Sequence, residues 1–171
     1  MNVIGIDPGI TGAVSIVTDI YSYVVDIPIE SVSKTAIVKN RVNATMLKII
    51  LSDMIVPRQD TRILIEAVAS RPGQGGATTF SFGDTFGCIR GVCESLYPTI
   101  EVGYVLPQAW KKHFGISKDK SESLELARSL YPDAPLERKK DNDRAEALLI
   151  AKYGRHIYSE SFVESIRSAG L

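Results

Sequence analysis

The stretch VIGIDPGITGAV at residues 3–14 is the feature that most restricts how this chain can fold. An apolar run of β-prone residues ends on Asp7, and Pro8 and Gly9 then turn the chain into a second apolar run. This pattern predicts two antiparallel strands joined by a tight turn. A carboxylate at the edge of a core is unfavourable unless water, a hydrogen bond or a cation receives it. Asp7 therefore either caps the turn or binds a ligand, and this stretch alone leaves both interpretations open.

Hydrophobic patterns along the rest of the chain predict a mixture of strands and helices. The predicted strands are 2–6, 12–18, 21–27, 62–68 and 99–106, the first three forming an antiparallel meander. The predicted helices are 43–55 with Asn43 as its N-cap, 78–96, 107–114, 121–130, and a last helix from Asp141 or Asn142 to Gly154. This order predicts a mixed α/β three-layer domain. We expect residues 1–154 to form it and residues 155–171 to be its C-terminal tail.

Composition excludes several classes of protein. A chain of 171 residues with 44% apolar and 23% charged residues is typical of one globular domain. It has no apolar run approaching the about 18 residues of a membrane span, and no signal-peptide pattern at its start. Cys88 and Cys93 have neither a disulfide framework nor a metal-binding spacing. We therefore expect a cytoplasmic protein with no membrane partner.

Charge is balanced overall but clustered locally. The 20 Lys and Arg residues match the 20 Asp and Glu residues, so the chain has no global basic field. Residues 107–120 nevertheless hold four lysines against the single acid Asp119, and residues 138–140 read RKK. Either a solvated surface or contact with nucleic acid explains these clusters.

Four carboxylates fall in a pattern. Asp7 and Glu66 each end an apolar strand, and Asp143 and Glu146 lie three apart on one face of the last helix. If they meet, their mutual repulsion raises their pKa values, and a divalent cation such as Mg²⁺ or Mn²⁺ removes that penalty. Each acid taken alone also has a structural explanation, as a surface group, a helix-dipole partner or half of an ion pair.

The helix predicted at 78–96 has two stripes. Its core stripe comprises Phe82, Phe86, Ile89, Cys93 and Leu96. Gly83, Gly87 and Gly91 recur every four residues on a neighbouring face, and each lowers helix stability by about 1 kcal/mol relative to Ala. A smooth stripe of this kind allows another backbone to approach closely, either within the monomer or across a dimer interface.

Five segments together resemble the RuvC-type Holliday junction resolvases, nucleases of the ribonuclease-H-like superfamily, and within them the phage-like branch. The segments are IGIDPGITGAV (4–14), LIEAV (64–68), RPGQGGATTFSFGDTFGCIRGV (71–92), VLPQAWKKHFGISKDKSES (105–123) and DNDRAEALLIAKYG (141–154). The resemblance implies a ribonuclease-H-like three-layer fold, with a mixed five-stranded sheet flanked by helices. It also implies a homodimer with the helix of Gly83, Gly87 and Gly91 at the interface, acting in the cytoplasm (of the host cell if phage-encoded).

The resemblance also implies an active site. The metal-binding acids fall on Asp7, Glu66, Asp143 and Glu146, although the bacterial pattern usually has Asp at the last position, and Asp141 lies close enough to be an alternative ligand. The active-site lysine falls on Lys120. The implied activity is hydrolysis of phosphodiester bonds in four-way or other branched DNA, with two Mg²⁺ ions per site, for which Mn²⁺ substitutes, and no small-molecule cofactor.

We assign candidate DNA contacts to the glycine-rich loop and to the local lysines. These are Arg71, Gln74, Phe80, Lys111, Lys112, Lys118 and Lys120. Phe80 would stack on an unpaired base, whereas Phe82 lies on the core stripe and is expected to pack inside.

Two other functions have to be considered. An actin-like or sugar-kinase-like ATPase lobe also uses an Asp-x-Gly hairpin, but such proteins normally have a far longer chain and a second phosphate loop. A catalytically silent junction-binding protein would have no need of all four acids.

Overall fold

A computed structural model describes residues 1–32, 40–55, 59–67, 73, 75–96 and 100–168, with side chains described as far as residue 160. Its strands are β1 (Asn2–Asp7), β2 (Ala13–Val17), β3 (Ser22–Asp26), β4 (Ile29–Ser31), β5 (Asn40–Val42), β6 (Thr61–Glu66) and β7 (Val102–Val105). Its helices are α1 (Ala44–Met54), α2 (Gly76–Leu96), α3 (Pro107–Phe114), α4 (Lys120–Leu130) and α5 (Asn142–Ser168). Asn43 caps α1 as predicted, because its side chain accepts a hydrogen bond from the backbone N–H of Met46.

The central sheet has five strands in the order β3-β2-β1-β6-β7. Strands β1, β2 and β3 pair antiparallel, while β6 pairs parallel with both β1 and β7. The predicted mixed sheet and its opening meander are therefore confirmed. Strands β4 and β5 form a separate two-stranded ribbon that was not predicted, since each has only three residues.

Helices cover both faces of this sheet and so complete the predicted three layers. On one face Ile4 packs with Leu47 of α1 and Ile89 of α2. On the other face Val3 packs in a second apolar cluster with Leu148 of α5, together with residues of α3 and α4. None of the helices in the described part of the chain is long and apolar enough to cross a lipid bilayer.

Helix α5 lies directly on β1. A Cβ atom at Gly5 would stand 2.3 Å from the carbonyl oxygen of Ala147 and 2.4 Å from the backbone nitrogen of Ala151. Near the start of β1, a Cβ atom at Gly154 would lie 2.7 Å from Val3. These contacts show that α5 runs antiparallel to β1. The first turn of α5 therefore lies at the end of β1 that carries Asp7.

The last helix is longer than predicted. We expected Gly154 to end it and a tail to begin at residue 155, but α5 continues to Ser168. Gly154 is buried against Val3 and Leu64, so its missing side chain permits close helix–sheet packing rather than helix termination. The expected boundary between residues 154 and 155 consequently falls inside a helix.

Helix α2 follows part of its predicted core stripe. Ile89 and Cys93 are buried, and Phe86 and Leu96 pack against them. Phe82 is only half-buried and does not join the apolar clusters formed by the described residues, so its assignment to the core was wrong. Among the described residues, the core stripe of α2 begins at Phe86.

The glycine stripe of α2 faces open space. A Cβ atom at Gly83, Gly87 or Gly91 would have nothing within 4 Å among the described residues. The stripe is therefore not explained by tight packing within the described part of the monomer.

Candidate metal centre

The parallel pairing of β1 and β6 brings two acids to one edge of the sheet. Ile6 is in register with Ile65, so the next residues, Asp7 and Glu66, are neighbours across the two strands. Side chains alternate between the two faces along a strand, and Asp7 therefore shares the face of Gly5, on which α5 packs. Both strand ends thus direct a carboxylate toward α5.

The first turn of α5 supplies the other two acids. Carboxylate oxygens of Asp7, Asp143 and Glu146 lie within 4.8 Å of one another. Arg144 holds this turn in place, because its guanidinium forms two hydrogen bonds of 2.5 and 2.7 Å with the carboxylate of Asp26 on β3. The structure therefore brings three of the four predicted acids into one group from two elements that are more than 130 residues apart.

The electrostatics of Asp7 reflect this crowding. Burial raises the pKa of Asp7 well above its usual range, and the negative charge of Glu66 raises it further. Glu146 and Asp143 act in the same direction, whereas Lys120 opposes them. Asp7 is therefore a carboxylate whose charged form needs a positive partner.

Two lysines approach the acids directly. Lys111 of α3 places its ammonium nitrogen 2.6 Å from Oε1 of Glu146, and both side chains are largely buried. Lys120, the first residue of α4, lies 2.6 Å from Oδ1 of Asp143. Burial lowers the pKa of Lys120, but the hydrogen bond to Asp143 and the negative charges of the surrounding acids together outweigh this, so the pKa is raised and Lys120 remains charged. Lys111 was predicted to contact DNA; its ammonium bonds an acid of this group, and its contact with DNA stays a prediction.

Glu66 borders the group of three and has a partner that was not predicted. The indole Nε1–H of Trp110 donates a hydrogen bond of 2.9 Å to Oε1 of Glu66. Burial raises the pKa of Glu66, the Trp110 hydrogen bond lowers it, and the net shift is upward. On α4, Ser123 donates to Oε1 of Glu146 at 3.2 Å. Two features of the sequence could have indicated these partners. One is the single tryptophan beside two lysines, and the other is a serine on the apolar side of a helix.

The donor set fits a divalent cation. Four carboxylates face two ammonium groups, so the ionised site has an excess of two negative charges, which favours the binding of divalent cations. Carboxylate oxygens are the hard ligands that Mg²⁺ and Mn²⁺ prefer. Asp7, Asp143 and Glu146 are the residues that can hold the ion, with Glu66 next to them. Three of the four acids that were expected to converge therefore lie together in the fold.

Asp141, the alternative ligand, has a different partner. Its carboxylate accepts hydrogen bonds from the backbone and the guanidinium of Arg138 at 2.6–2.9 Å, and the side chain is buried. These bonds lower its pKa despite the burial. Asp141 therefore stabilises the start of α5 and lies outside the group of three acids.

The structure describes some of the other residues that were predicted to contact DNA. Lys112 on α3 and Lys118 in the α3–α4 loop are exposed, and Phe80 near the start of α2 is 59% exposed. Arg71 and Gln74 lie outside the described residues. Their proposed contact with DNA stays a prediction.

Comparison with solved structures identifies the fold. The RuvC protein of Thermus thermophilus in complex with a Holliday junction substrate matches with a TM-score of 0.58 and 18% identity, over 88% of this chain and 90% of that chain. A further Thermus thermophilus RuvC structure matches with a TM-score of 0.56 and 18% identity, over 91% and 96%. No protein-family model and no curated protein sequence matches the chain significantly. The chain thus has the RuvC, ribonuclease-H-like fold that its motifs imply.

Proposed function

We propose that this protein is a metal-dependent endodeoxyribonuclease that resolves Holliday junctions as a homodimer in the cytoplasm. The observation that carries this proposal is the convergence of Asp7, Asp143 and Glu146, with Glu66 beside them, on the RuvC fold. One of the matching structures is a RuvC protein bound to a Holliday junction. All of the proposed site residues lie within residues 1–154.

We propose two Mg²⁺ ions per site, with Mn²⁺ as a substitute. When bound, such ions activate water for attack on a phosphodiester and stabilise the oxygen that leaves. The four acids would hold them, and in doing so would lose their mutual repulsion. Lys120 would then stabilise the negative charge that develops on the phosphate during attack, since its ammonium is already positioned at the acidic group.

DNA binding would use the surface around these acids. Lys112 and Lys118 are exposed and would contact phosphates without belonging to the acidic group. Phe80 presents an exposed ring that can stack on an unpaired base. A twofold dimer would place two identical sites on a twofold junction, so that paired nicks follow from symmetry.

The decisive experiment compares cleavage of a four-way junction, a Y-shaped DNA and a linear duplex of matched sequence, with Mg²⁺, with Mn²⁺ and with EDTA. We expect cleavage of the four-way junction only when a divalent ion is present. Asp7→Asn and Glu66→Gln should abolish this cleavage while junction binding survives, because each removes a negative charge and keeps the shape of the side chain.

The matched control is Asp53→Asn, which removes one exposed carboxylate on α1 and should cut like the wild type. Junction binding without cleavage by the wild type would indicate a catalytically silent junction-binding protein. ATP binding without nuclease activity in Mn²⁺ would support the ATPase alternative. Cleavage at wild-type rates by Asp7→Asn would contradict the metal-site assignment.

A further inference from the structure

Trp110 contacts one of the acids and lies beside a lysine that contacts another. Its indole ring is fully buried, and its Nε1–H donates to Oε1 of Glu66 at 2.9 Å. The ammonium of Lys111 lies 4.7 Å from the centre of the same ring and bonds Glu146 at 2.6 Å. Two consecutive residues of α3 thus reach acids on two other elements, β6 and α5.

Glu66 needs such a partner more than the other acids do. It lies outside the group of three whose oxygens are within 4.8 Å of one another. Its side chain has three rotatable bonds, as does that of Glu146, but Glu146 is held by both Lys111 and Ser123. Among the described residues, Oε1 accepts the Trp110 hydrogen bond and Oε2 accepts none. Fixing one oxygen orients the other, and a ligand held in its binding geometry before the ion arrives loses less entropy on binding.

We propose that Trp110 is a positioning residue that orients Glu66 for metal binding through its indole N–H. This inference rests on the proposed function, because it takes Glu66 as a metal ligand. The proposal assigns the role to the indole N–H and not to the volume of the ring. Any large aromatic side chain could fill the same space, whereas only a side chain with a hydrogen-bond donor could orient Glu66. Trp110→Phe separates the two, since it keeps a buried ring and removes the N–H.

Metal binding can be measured without DNA. We expect isothermal titration of the full chain with MnCl₂ to show binding by the wild type and at least tenfold weaker binding by Trp110→Phe. The matched control is Tyr131→Phe, which also removes one buried polar atom from an aromatic side chain, but one that has no hydrogen-bond partner among the described residues. Tyr131→Phe should bind Mn²⁺ like the wild type.

A double-mutant cycle tests whether Trp110 acts through Glu66. Glu66→Gln keeps an oxygen that can accept the indole N–H but loses the charge. If positioning is correct, adding Trp110→Phe to Glu66→Gln weakens Mn²⁺ binding less than twofold further. A tenfold loss in both backgrounds would assign Trp110 a general structural role and overturn the inference.

Trp110 is also the only tryptophan of the chain, so it reports on its own surroundings. Titration with MgCl₂ should change its fluorescence emission in the wild type, and the change should be lost in Glu66→Gln. This measurement keeps the inference testable if Trp110→Phe does not fold. A wild type that binds no Mn²⁺ would overturn the proposed metal-dependent function as well. If the wild type binds Mn²⁺ and Trp110→Phe binds it equally well, the positioning role alone is overturned.

Discussion

Asp7 is held in the folded protein under conditions that disfavour its charge. Burial and neighbouring carboxylates raise its pKa above the value of the unfolded chain, so the native state binds this proton more tightly. Between the two pKa values the native state therefore loses stability as the pH rises. The destabilisation caused by Asp7 is absent at low pH, where Asp7 is protonated in both the native and the unfolded state. It is largest once the pH exceeds the native pKa.

Asp7→Asn should therefore stabilise the metal-free protein at neutral pH. In EDTA at pH 7 we expect its free energy of unfolding to exceed that of the wild type. The difference should be larger than about 0.5 kcal/mol, the usual limit for surface substitutions. Urea denaturation at pH 7 and pH 3 is the measurement, and the difference should shrink at pH 3. Adding Mg²⁺ should stabilise the wild type more than Asp7→Asn, because ligand binding to the native state adds stability. An Asp7→Asn variant less stable than the wild type at pH 7 would contradict this.

Lys120 and the exposed lysines should differ in what their removal affects. Lys120→Ala removes a charge that lies 2.6 Å from Asp143, so we expect junction cleavage to slow by about 10²–10³-fold, the scale of losing one preorganised electrostatic group. Junction binding should weaken far less. Single-turnover rates and dissociation constants measured side by side provide the comparison.

Lys112→Ala is the matched control for Lys120→Ala. Lys112 is exposed on α3, and its loss should weaken junction binding and reduce the salt dependence of binding, with little effect on the single-turnover rate. Equal losses of binding and cleavage in Lys120→Ala would reassign Lys120 to simple phosphate contact.

Among the elements, the contact between β1 and α5 decides whether the acids meet. Gly5→Ala would place a Cβ atom 2.3 Å from the carbonyl oxygen of Ala147, so strand and helix would have to separate. We expect destabilisation of about 1–3 kcal/mol, the usual scale for overpacking, and weaker metal binding because Asp7 moves away from Asp143. Thermal denaturation and Mn²⁺ titration measure the two effects.

Gly9→Ala provides the control for Gly5→Ala. A Cβ atom at Gly9 would make its nearest contact at 3.6 Å, an ordinary distance, so this substitution in the following turn should change stability much less. If Gly5→Ala and Gly9→Ala behaved alike, the helix–sheet contact would not be the feature that aligns the acids.

Local patterns in the sequence predicted the acids but not their hydrogen-bonding partners. Apolar runs ending on Asp7 and Glu66 are visible residue by residue, and so is the spacing of Asp143 and Glu146. The Trp110–Glu66 contact spans 44 residues and depends on how α3 packs, which no local periodicity encodes. Gly154 was misassigned for the same reason. A glycine that ends a helix and a glycine that lets a helix pack closely on a strand cannot be distinguished in a single sequence.

At the scale of the whole molecule, α2 carries a face that the described residues leave uncovered. A Cβ atom at Gly83, Gly87 or Gly91 would meet nothing within 4 Å among these residues, although each glycine lowers helix stability by about 1 kcal/mol relative to Ala. Small residues let two backbones approach closely, so the same stripe on a second copy is a self-complementary partner. This agrees with the homodimer that we propose.

Gly87→Arg should therefore dissociate the proposed dimer without unfolding the chain, since a Cβ atom at Gly87 would meet nothing within 4 Å among the described residues. Light scattering after gel filtration should give the mass of one chain, with an unchanged circular dichroism spectrum, and paired nicks on a four-way junction should become independent single nicks. Ser129→Arg adds the same charge to an exposed position on α4 and should remain dimeric. A dimeric Gly87→Arg would place the interface elsewhere. Two sites can act on one junction together only if an interface of this kind fixes the distance between them.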